Sequence, residues 1–409
     1  MLLEGFAGTY ASAENKSLWR FAVDTETGVL TQPEPVLEAA DSKYLFLHRQ
    51  NLQAEGQGRK SETLACTEGK AQPQLLAVPR KVNGRAGLAV VNEATDPLQV
   101  VGEYGEEQDC PAYVTGDGEF WYTANYHDGG IRIYKLTETS NFPGNEKLPT
   151  AILTGEDAAG GEKNCGNALA NLQLIHKLET GRESGCHQIL LAGQFLLACC
   201  LVRDQILIYE RTRNWQQVGT INFPKGTGPR HGIFIRDGQT LFVVSELSNE
   251  LFIFAVGKKL ATQNLKLAKV LETQNLKSQA DQATPNDFLT LISAQLLLEQ
   301  NDLPAAAAAI RLSPDEKFLY VSVRERNVIC VFALAGVTAT KIQEVPCGGD
   351  HPRDLVLTPD GKFVLAVNRY PGSIVSFSRD QASGKIGKAV SSITIPQAVS
   401  VVFTEGVPR

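Results

Sequence analysis

The sequence predicts an all-β fold: a seven-bladed β-propeller built from four-stranded antiparallel blades. Short apolar strands, bounded by Gly, Asp and Pro turns, recur along the whole chain, which is typical of antiparallel hairpins. The copies follow one another at intervals of roughly 40–50 residues, the length that four strands and their turns require. No Pro- or Gly-rich linker divides the chain, which disfavours the alternative of a β-sandwich or several small β-domains.

Seven copies of this unit account for the blades. The copy at 229–254 is the clearest, 309–332 and 352–377 repeat its plan, and weaker copies span 111–134 and 186–209. Segment 5–23 and the degenerate segment 43–91 supply two more. We expect the apolar run at 398–404 to complete a blade with N-terminal strands, because such closure removes the exposed sheet edges that promote aggregation.

We therefore expect residues 1–409 to form a single domain, with insertions near 155–185 and 272–304. Both insertions are predicted to follow the last strand of one blade and to lie on the face of the propeller that carries its ionisable residues. Apolar residues within 288–301 have helix-like spacing, and Asn286 or Asp287 would cap such a helix. We interpret this helix either as a lid over the central mouth or as a segment packed on the propeller flank or in a dimer contact.

Composition and charge narrow the range of partners. The chain has 409 residues, 43% hydrophobic and 21% charged, with a net charge of −6, which argues against binding to nucleic acid or to an anionic membrane. No apolar run approaches the roughly 20 residues that span a bilayer, and the N-terminus lacks a signal-peptide pattern, so we expect a cytoplasmic protein. The eight cysteines form no CxxC pair and the six histidines no HxxxH or HExxH motif. We expect mainly buried free thiols, no metal site and no cofactor.

Polar residues recur at the ends of the first two strands of several blades. His187, Arg230 and Arg353 precede first strands, as do Tyr113 and Ala309, whereas Asn125, Glu246, Arg324 and Asn368 follow second strands. Strand one runs down the central channel and strand two returns, so all these positions share one face, which we call the top face. Arginines, a histidine and a carboxylate at one opening fit a small anionic molecule. Taken singly, an arginine at such a position or His231 is more typical of a hydrogen bond within its own blade.

Six short motifs carry a family resemblance over nearly the whole chain. They are Gly8-Thr9-Tyr10, Asn125-Tyr126, Gly228-Pro229-Arg230-His231, Ser245-Glu246-Leu247, Ser313-Pro314-Asp315 and Ala366-Val367-Asn368. In these motifs the sequence resembles the lactonase family of seven-bladed β-propellers, which includes the propeller type of 6-phosphogluconolactonase and carboxymuconate-cyclising enzymes. The resemblance implies that His187, Arg230, Glu246 and Arg324 are catalytic. We expect Asn125, His231, Arg353 and Asn368 to bind substrate.

The same resemblance implies the hydrolysis of a sugar lactone, with 6-phosphogluconolactone opened to 6-phosphogluconate as the leading hypothesis. Glu246 or His187 would act as general base, and Arg230 with Arg324 would bind the anion and the oxyanion. At Tyr113, Gly185, Cys200 and Ala309 the chain departs from the family pattern, so two alternatives stay open. One is a carboxymuconate-type cycloisomerase, and the other is a non-catalytic propeller that binds a ligand or a protein through this face. The expected partner is a small anionic lactone or carboxylate, and the sequence does not define the oligomeric state.

Overall fold

The computed structural model describes residues 1–10, 17–48, 74–82, 84–138, 170–235, 238–261, 287–299 and 304–404. In these ranges the chain forms seven four-stranded sheets with antiparallel neighbours, and the strands are numbered β1 to β28 along the chain. Inner strands of successive blades contact one another around a central channel. The predicted all-β, seven-bladed propeller is therefore confirmed.

The strands of each of the first four blades follow one another from the channel outward. Blade 1 contains β28 (Ala398–Phe403), β1 (Leu2–Thr9), β2 (Leu18–Asp24) and β3 (Glu34–Leu37). Blade 2 contains β4 (Phe46–His48), β5 (Leu75–Val82), β6 (Arg85–Asn92) and β7 (Gln99–Glu107). Blade 3 contains β8 (Tyr113–Gly116), β9 (Trp121–Ala124), β10 (Gly130–Glu138) and β11 (Ala170–Glu179). Blade 4 contains β12 (Cys186–Ala192), β13 (Phe195–Cys200), β14 (Gln205–Glu210) and β15 (Gln216–Asn222).

The remaining three blades follow the same plan. Blade 5 contains β16 (Pro229–Phe234), β17 (Thr240–Ser245), β18 (Glu250–Val256) and β19 (Leu289–Leu296). Blade 6 contains β20 (Ala306–Leu312), β21 (Phe318–Arg324), β22 (Val328–Ala335) and β23 (Thr338–Pro346). Blade 7 contains β24 (Asp350–Leu357), β25 (Phe363–Tyr370), β26 (Ser373–Arg379) and β27 (Ile386–Thr394).

Helical structure is minor in the described ranges. It consists of two 3₁₀ turns, Leu201–Arg203 and Arg211–Arg213, and one short helix, α1 (Lys258–Ala261). Among the described residues, none of the helices has the length and apolar character needed to cross a membrane.

The C-terminal strand closes the ring, as predicted. β28 is the inner strand of blade 1 and pairs antiparallel with β1, so that Gly5 faces Phe403 and Ala7 faces Val401. The two ends of the chain thus share one sheet, and β28 covers the edge of β1 that would otherwise be open.

Second strands form the centre of the core. Every residue of β13, β17 and β21 is buried, because neighbouring blades cover both faces of each sheet. Strands buried on both faces consist of continuous apolar runs instead of alternating ones. The cysteines of the described ranges are all buried free thiols, as expected: Cys110, Cys186, Cys199, Cys200, Cys330 and Cys347.

The predicted helix in the second insertion is wrong. Within 155–185 the chain forms β11, and within 272–304 it forms β19; both are outer strands of their blades. The apolar residues at 289–296 belong to β19, which pairs along the whole length of β18. Pairing with an existing strand outweighs the helix-like spacing of an isolated segment. Residues 155–169, 272–286 and 300–303 lie outside the described ranges.

The expectation that both insertions follow the last strand of a blade is also wrong. Segments 139–169 and 262–286 each join the third strand of a blade to its fourth strand. Third strands run from the top face to the opposite face, which we call the bottom face. The described residues that flank the two segments therefore lie at the bottom face, away from the polar mouth.

Candidate active site

Three of the predicted residues lie in β-bulges, which direct their side chains into the mouth. The inner strands β12, β16 and β24 each contain one extra residue relative to their neighbours, namely His187, Arg230 and Arg353. A bulged residue leaves the pairing ladder, so its side chain is redirected. β20 has a bulge as well, but Ala308 and Ala309 occupy it. These positions were expected before the first strand of each blade, but they lie inside it.

Arg230, Glu246 and Arg324 form an ion-paired cluster that joins blades 5 and 6. Arg230 Nε donates a hydrogen bond to Glu246 Oε2 over 2.8 Å, and Arg324 Nη2 lies 2.7 Å from the same oxygen. Arg230 Nη1 also donates to the carbonyl of Ala308 over 2.5 Å. The side chains of Arg230 and Arg324 are 2% and 8% exposed, and that of Glu246 is 21% exposed. The arginines are thus held in place by buried contacts, while the carboxylate reaches solvent.

His187 and His231 lie beside this cluster. His231 Nε2 and His187 Nδ1 are 3.2 Å apart, and Arg230 Nη1 lies 3.4 Å from each ring nitrogen of His231. Burial lowers the pKa of both imidazoles well below its usual value, and Arg230 acts in the same direction. Both rings are therefore neutral at pH 7, so one of them donates a hydrogen bond to the other.

The mouth carries an excess of positive charge. Burial acts to raise the pKa of Glu246, but Arg230 and Arg324 outweigh it and hold that pKa below its usual value. Arg353 is near enough to lower the pKa of Glu246 as well. Glu246 thus stays ionised, and its negative charge neutralises one of the three positive charges of Arg230, Arg324 and Arg353. The remaining charge favours an anionic ligand.

Asn125 and Asn368 have partners outside the cluster. Asn125 Nδ2 donates to Glu107 Oε2 over 3.0 Å, and Asn368 Nδ2 donates to the carbonyl of Cys347 and to Ser373 Oγ, each over 3.3 Å. Both asparagines are fully buried. Glu107 ends β7 of blade 2 and Cys347 follows β23 of blade 6, so each asparagine joins its own blade to the end of the preceding one. Their role in substrate binding stays a prediction.

The glycine-rich segment Gly226-Thr227-Gly228 positions Glu246. The N–H groups of Gly226 and Gly228 each donate to the carboxylate of Asp204 over 2.7 Å. The carbonyl of Gly228 accepts a hydrogen bond from the backbone N–H of Glu246 over 2.8 Å. Two N–H groups that a phosphate cradle would need are thus engaged, and the segment instead holds the carboxylate at the mouth.

A cavity of about 1250 Å³ occupies the lower part of the central channel. It is lined by turns between first and second strands and by aromatic rings such as Phe46 and Tyr113. Arg311 at this cavity already donates to Asp354 over 2.5 Å and to the Tyr44 hydroxyl over 3.1 Å. We therefore assign the candidate site to the mouth above it, where positive charge is in excess.

The described side chains of the candidate site do not form an arrangement typical of a metal centre. Across the ranges that the structure describes, no group of three or more His, Cys, Asp or Glu side chains is placed to hold a metal ion. In the mouth, Glu246 is flanked by arginine cations, which would compete with a metal ion for the carboxylate.

Three further residues at the mouth were missed as site residues. The guanidinium of Arg369 lies over the Tyr10 ring at 4.3 Å from its centre, and the Tyr126 ring is 5.9 Å from that of His187. Tyr10 and Tyr126 belong to quoted sequence motifs, and Arg369 directly follows another. All three lie within two residues of the end of a second strand, so a slightly wider search at those ends would have found them.

Fold and site together define the class of this protein: a seven-bladed propeller with a cationic mouth suited to a small anion. The chain belongs to the lactonase family, because the family model described as "Lactonase, 7-bladed beta-propeller" matches residues 4–403. The family resemblance inferred from the sequence motifs is thereby confirmed.

Several known proteins are similar to this chain over nearly its full length. The 6-phosphogluconolactonase of Bacillus subtilis (strain 168) is 22% identical over 406 residues, which cover 98% of this chain and 97% of that protein. The crystal structure of a protein from Lactobacillus plantarum has a TM-score of 0.73 at 22% identity and covers 99% of this chain and 100% of its own. The periplasmic gluconolactonase of Pseudomonas aeruginosa has a TM-score of 0.69 at 18% identity, with 99% of both chains covered. The two structures are evidence for the fold alone.

Proposed function

We propose that this protein hydrolyses the lactone of a sugar acid that carries negative charge, and that 6-phosphogluconolactone is the first substrate to test. The observation that carries the proposal is the cluster of Arg230, Glu246 and Arg324 at the mouth of a lactonase-family propeller. The similarity to the B. subtilis protein named 6-phosphogluconolactonase supports the choice of substrate.

Arg230 and Arg324 bind the lactone and stabilise the charge that develops on it. When water adds to the lactone carbonyl, the carbonyl oxygen becomes an oxyanion. Cations held in fixed positions stabilise this oxyanion without having to reorganise. Arg230 is fixed through Nε and Nη1 by Glu246 and by the carbonyl of Ala308, and its Nη2 has no partner among the described residues.

Glu246 is the first candidate for the general base. Its ion pairs with described residues are made through Oε2, so Oε1 is available to accept a proton from the attacking water. The proton then passes to the ring oxygen as the carbon–oxygen bond of the lactone breaks, and the products are a hydroxyl group and a carboxylic acid. Such a base typically contributes about 10²–10⁴-fold to the rate.

His187 is the second candidate for this role. If its Nδ1–H donates to His231 Nε2, the Nε2 of His187 is unprotonated and can accept a proton from water. Burial and the neighbouring arginines lower the pKa of His187. An anionic substrate would offset the arginines, so His187 would become more basic when the substrate binds.

A direct test is the initial rate of hydrolysis of 6-phosphogluconolactone and of glucono-δ-lactone, followed as acid release against a buffer blank. We expect turnover by the wild-type protein well above the blank and a strong loss in Arg230→Gln. Arg213→Gln is the matched control, because Arg213 is 65% exposed and pairs with Glu210 on the bottom face. This control should retain the wild-type rate.

Absence of turnover on every aldonolactone would overturn the hydrolase proposal. Binding of 6-phosphogluconate without turnover would then favour a non-catalytic ligand-binding propeller. Cyclisation of a carboxylated muconate would favour a cycloisomerase that uses the same arginines.

A further inference from the structure

Three cations surround one aromatic ring on the side of the mouth formed by blades 1, 2 and 7. Tyr10 directly follows β1. The guanidinium groups of Arg369 and Arg353 lie 4.3 Å and 5.2 Å from the centre of the Tyr10 ring, and Lys43 Nζ lies 5.3 Å from it. A tyrosine ring attracts cations through its π-face, so Tyr10 of blade 1 contacts two cations of blade 7 and one from the segment that leads into blade 2.

These three cations have no acidic partner among the described residues, whereas Arg230 and Arg324 share Glu246. Among the described residues, no carboxylate lies within ion-pair distance of Lys43, Arg353 or Arg369. Moreover, Arg369 Nε is buried and has no hydrogen-bond partner in that same set of residues. Like charges held this close repel one another, and a buried donor without a partner is costly. An anion bound between them would relieve both costs.

We propose that Tyr10, Lys43, Arg353 and Arg369 form a second anion-binding subsite, which takes a second negatively charged group of the substrate. This inference rests on the proposed function, because it names the kind of lactone that the mouth prefers: one with a phosphate or carboxylate group remote from the lactone carbonyl. Tyr10 positions the cations through its ring, and the cations bind the charged group through charge-assisted hydrogen bonds.

The position of Arg353 connects this subsite to the ion-paired cluster. Arg353 is the bulged residue of β24, and its guanidinium lies over Tyr10. Burial acts to raise the pKa of Glu246, and Arg353 is one of the arginines that lower it. The two groups of cations are thus neighbours across the mouth. A ligand with its lactone at Arg230 and a second anionic group at Arg369 would engage blades 5, 6, 7 and 1 together.

The test is calorimetric binding of three probes that share one sugar-acid carboxylate. 6-Phosphogluconate carries a phosphate at the far end, glucarate carries a carboxylate there, and gluconate carries a neutral hydroxyl. We expect the wild-type protein to bind 6-phosphogluconate or glucarate at least about 10-fold more tightly than gluconate, the effect of one or more charge-assisted contacts. Whichever of the two binds more tightly identifies the second group as a phosphate or a carboxylate.

Arg369→Gln and, independently, Lys43→Gln should remove most of this preference, with a far smaller loss of gluconate affinity. Arg230→Gln should instead weaken all three probes, and Arg213→Gln should change none. Equal affinity of the wild-type protein for all three probes, no binding of any of them, or an equal loss for all three in correctly folded Arg369→Gln and Lys43→Gln would overturn the subsite. Because the probes need no turnover, a protein that keeps the preference but opens no lactone would refute the hydrolase proposal and retain the subsite.

Discussion

At the scale of single residues, removing any one of the paired charged side chains at the mouth lowers the stability of the protein. Arg230 is among the largest fully buried side chains, and Glu246 supplies its counter-charge. Removing one partner of a buried ion pair leaves the other uncompensated, which typically costs about 3–5 kcal/mol. The ion pairs therefore hold the arginines in a fixed geometry before any ligand arrives.

The first prediction concerns Glu246→Gln, which is nearly isosteric and removes only the ionisable carboxylate. If Glu246 is the base, lactone turnover should fall by about 10²-fold or more. The melting temperature should also fall, because Arg230 and Arg324 lose their counter-charge. Steady-state kinetics and thermal unfolding check the two effects. Unchanged turnover in this variant would move the role of base to His187, and His187→Gln would become the deciding variant.

The second prediction concerns pH. A general base must be unprotonated, and a lowered pKa keeps it unprotonated to lower pH. The pKa of Glu246 is lowered by Arg230 and Arg324 against the effect of burial, and that of His187 is lowered mainly by burial. For either base, kcat/KM should stay flat from neutral pH to below the usual histidine pKa of about 6.5 and fall only under more acidic conditions. An acid limb centred near 6.5 or above would exclude both assignments.

At the scale of the elements, the site depends on where the strands of neighbouring blades approach one another. Gly8 in β1 shows how close this approach is: a Cβ atom at this position would lie 2.0 Å from the carbonyl oxygen of Ser42. Gly8 precedes Tyr10 by two residues, and Ser42 precedes Lys43. The glycine thus allows blades 1 and 2 to bring Tyr10 and Lys43 together.

The third prediction is that Gly8→Ala destabilises the protein by about 1–3 kcal/mol, because the added methyl group overpacks a backbone contact. Gly105→Ala in β7 is the matched control, since no atom of the described residues lies within 4 Å of a Cβ atom there. This variant should be neutral or slightly stabilising. Urea unfolding measures both variants. Similar unfolding midpoints for the two would show that the β1 contact is less tight than the structure indicates.

At the scale of the whole molecule, the propeller is a closed ring, and its closure depends on β28. Ala398, Val401 and Phe403 of this strand pack in one cluster with Leu3, Phe21 and Phe363, so β28 joins blade 1 to blade 7. Because the sheets contact one another all around the channel, loss of this strand affects the whole ring and opens an edge on β1.

The fourth prediction is that truncation after residue 397, which removes β28, abolishes cooperative unfolding and promotes aggregation. Truncation after residue 404 is the control, because it keeps all of β28. Size-exclusion chromatography and urea unfolding followed by circular dichroism distinguish the two. If the protein truncated after residue 397 is monomeric and unfolds cooperatively, six complete blades and one three-stranded blade are sufficient for folding.

Local patterns in the sequence were sufficient to predict the blades. Turns such as Asp117-Gly118 and Asp360-Gly361 separate first from second strands as expected, because turn residues and apolar alternation act over a few neighbouring residues. The same patterns failed for Leu289–Leu296, where helix-like spacing was overruled by pairing with β18. An outer strand has only one neighbour, so its own apolar pattern is weakly constrained.

The sequence by itself determined the ring, the number of blades and the face on which the ionisable residues meet. Only the tertiary structure decided which of these residues touch. Arg230 forms an ion pair with Glu246 Oε2, and His187 and His231 share a hydrogen bond. Asn125 donates its hydrogen bond to Glu107, outside the cluster. The physical reason is that β-bulges and contacts between blades set these positions. Both depend on packing between residues that are far apart in the chain. Tyr10 and Arg369 become neighbours only when β28 has closed the ring.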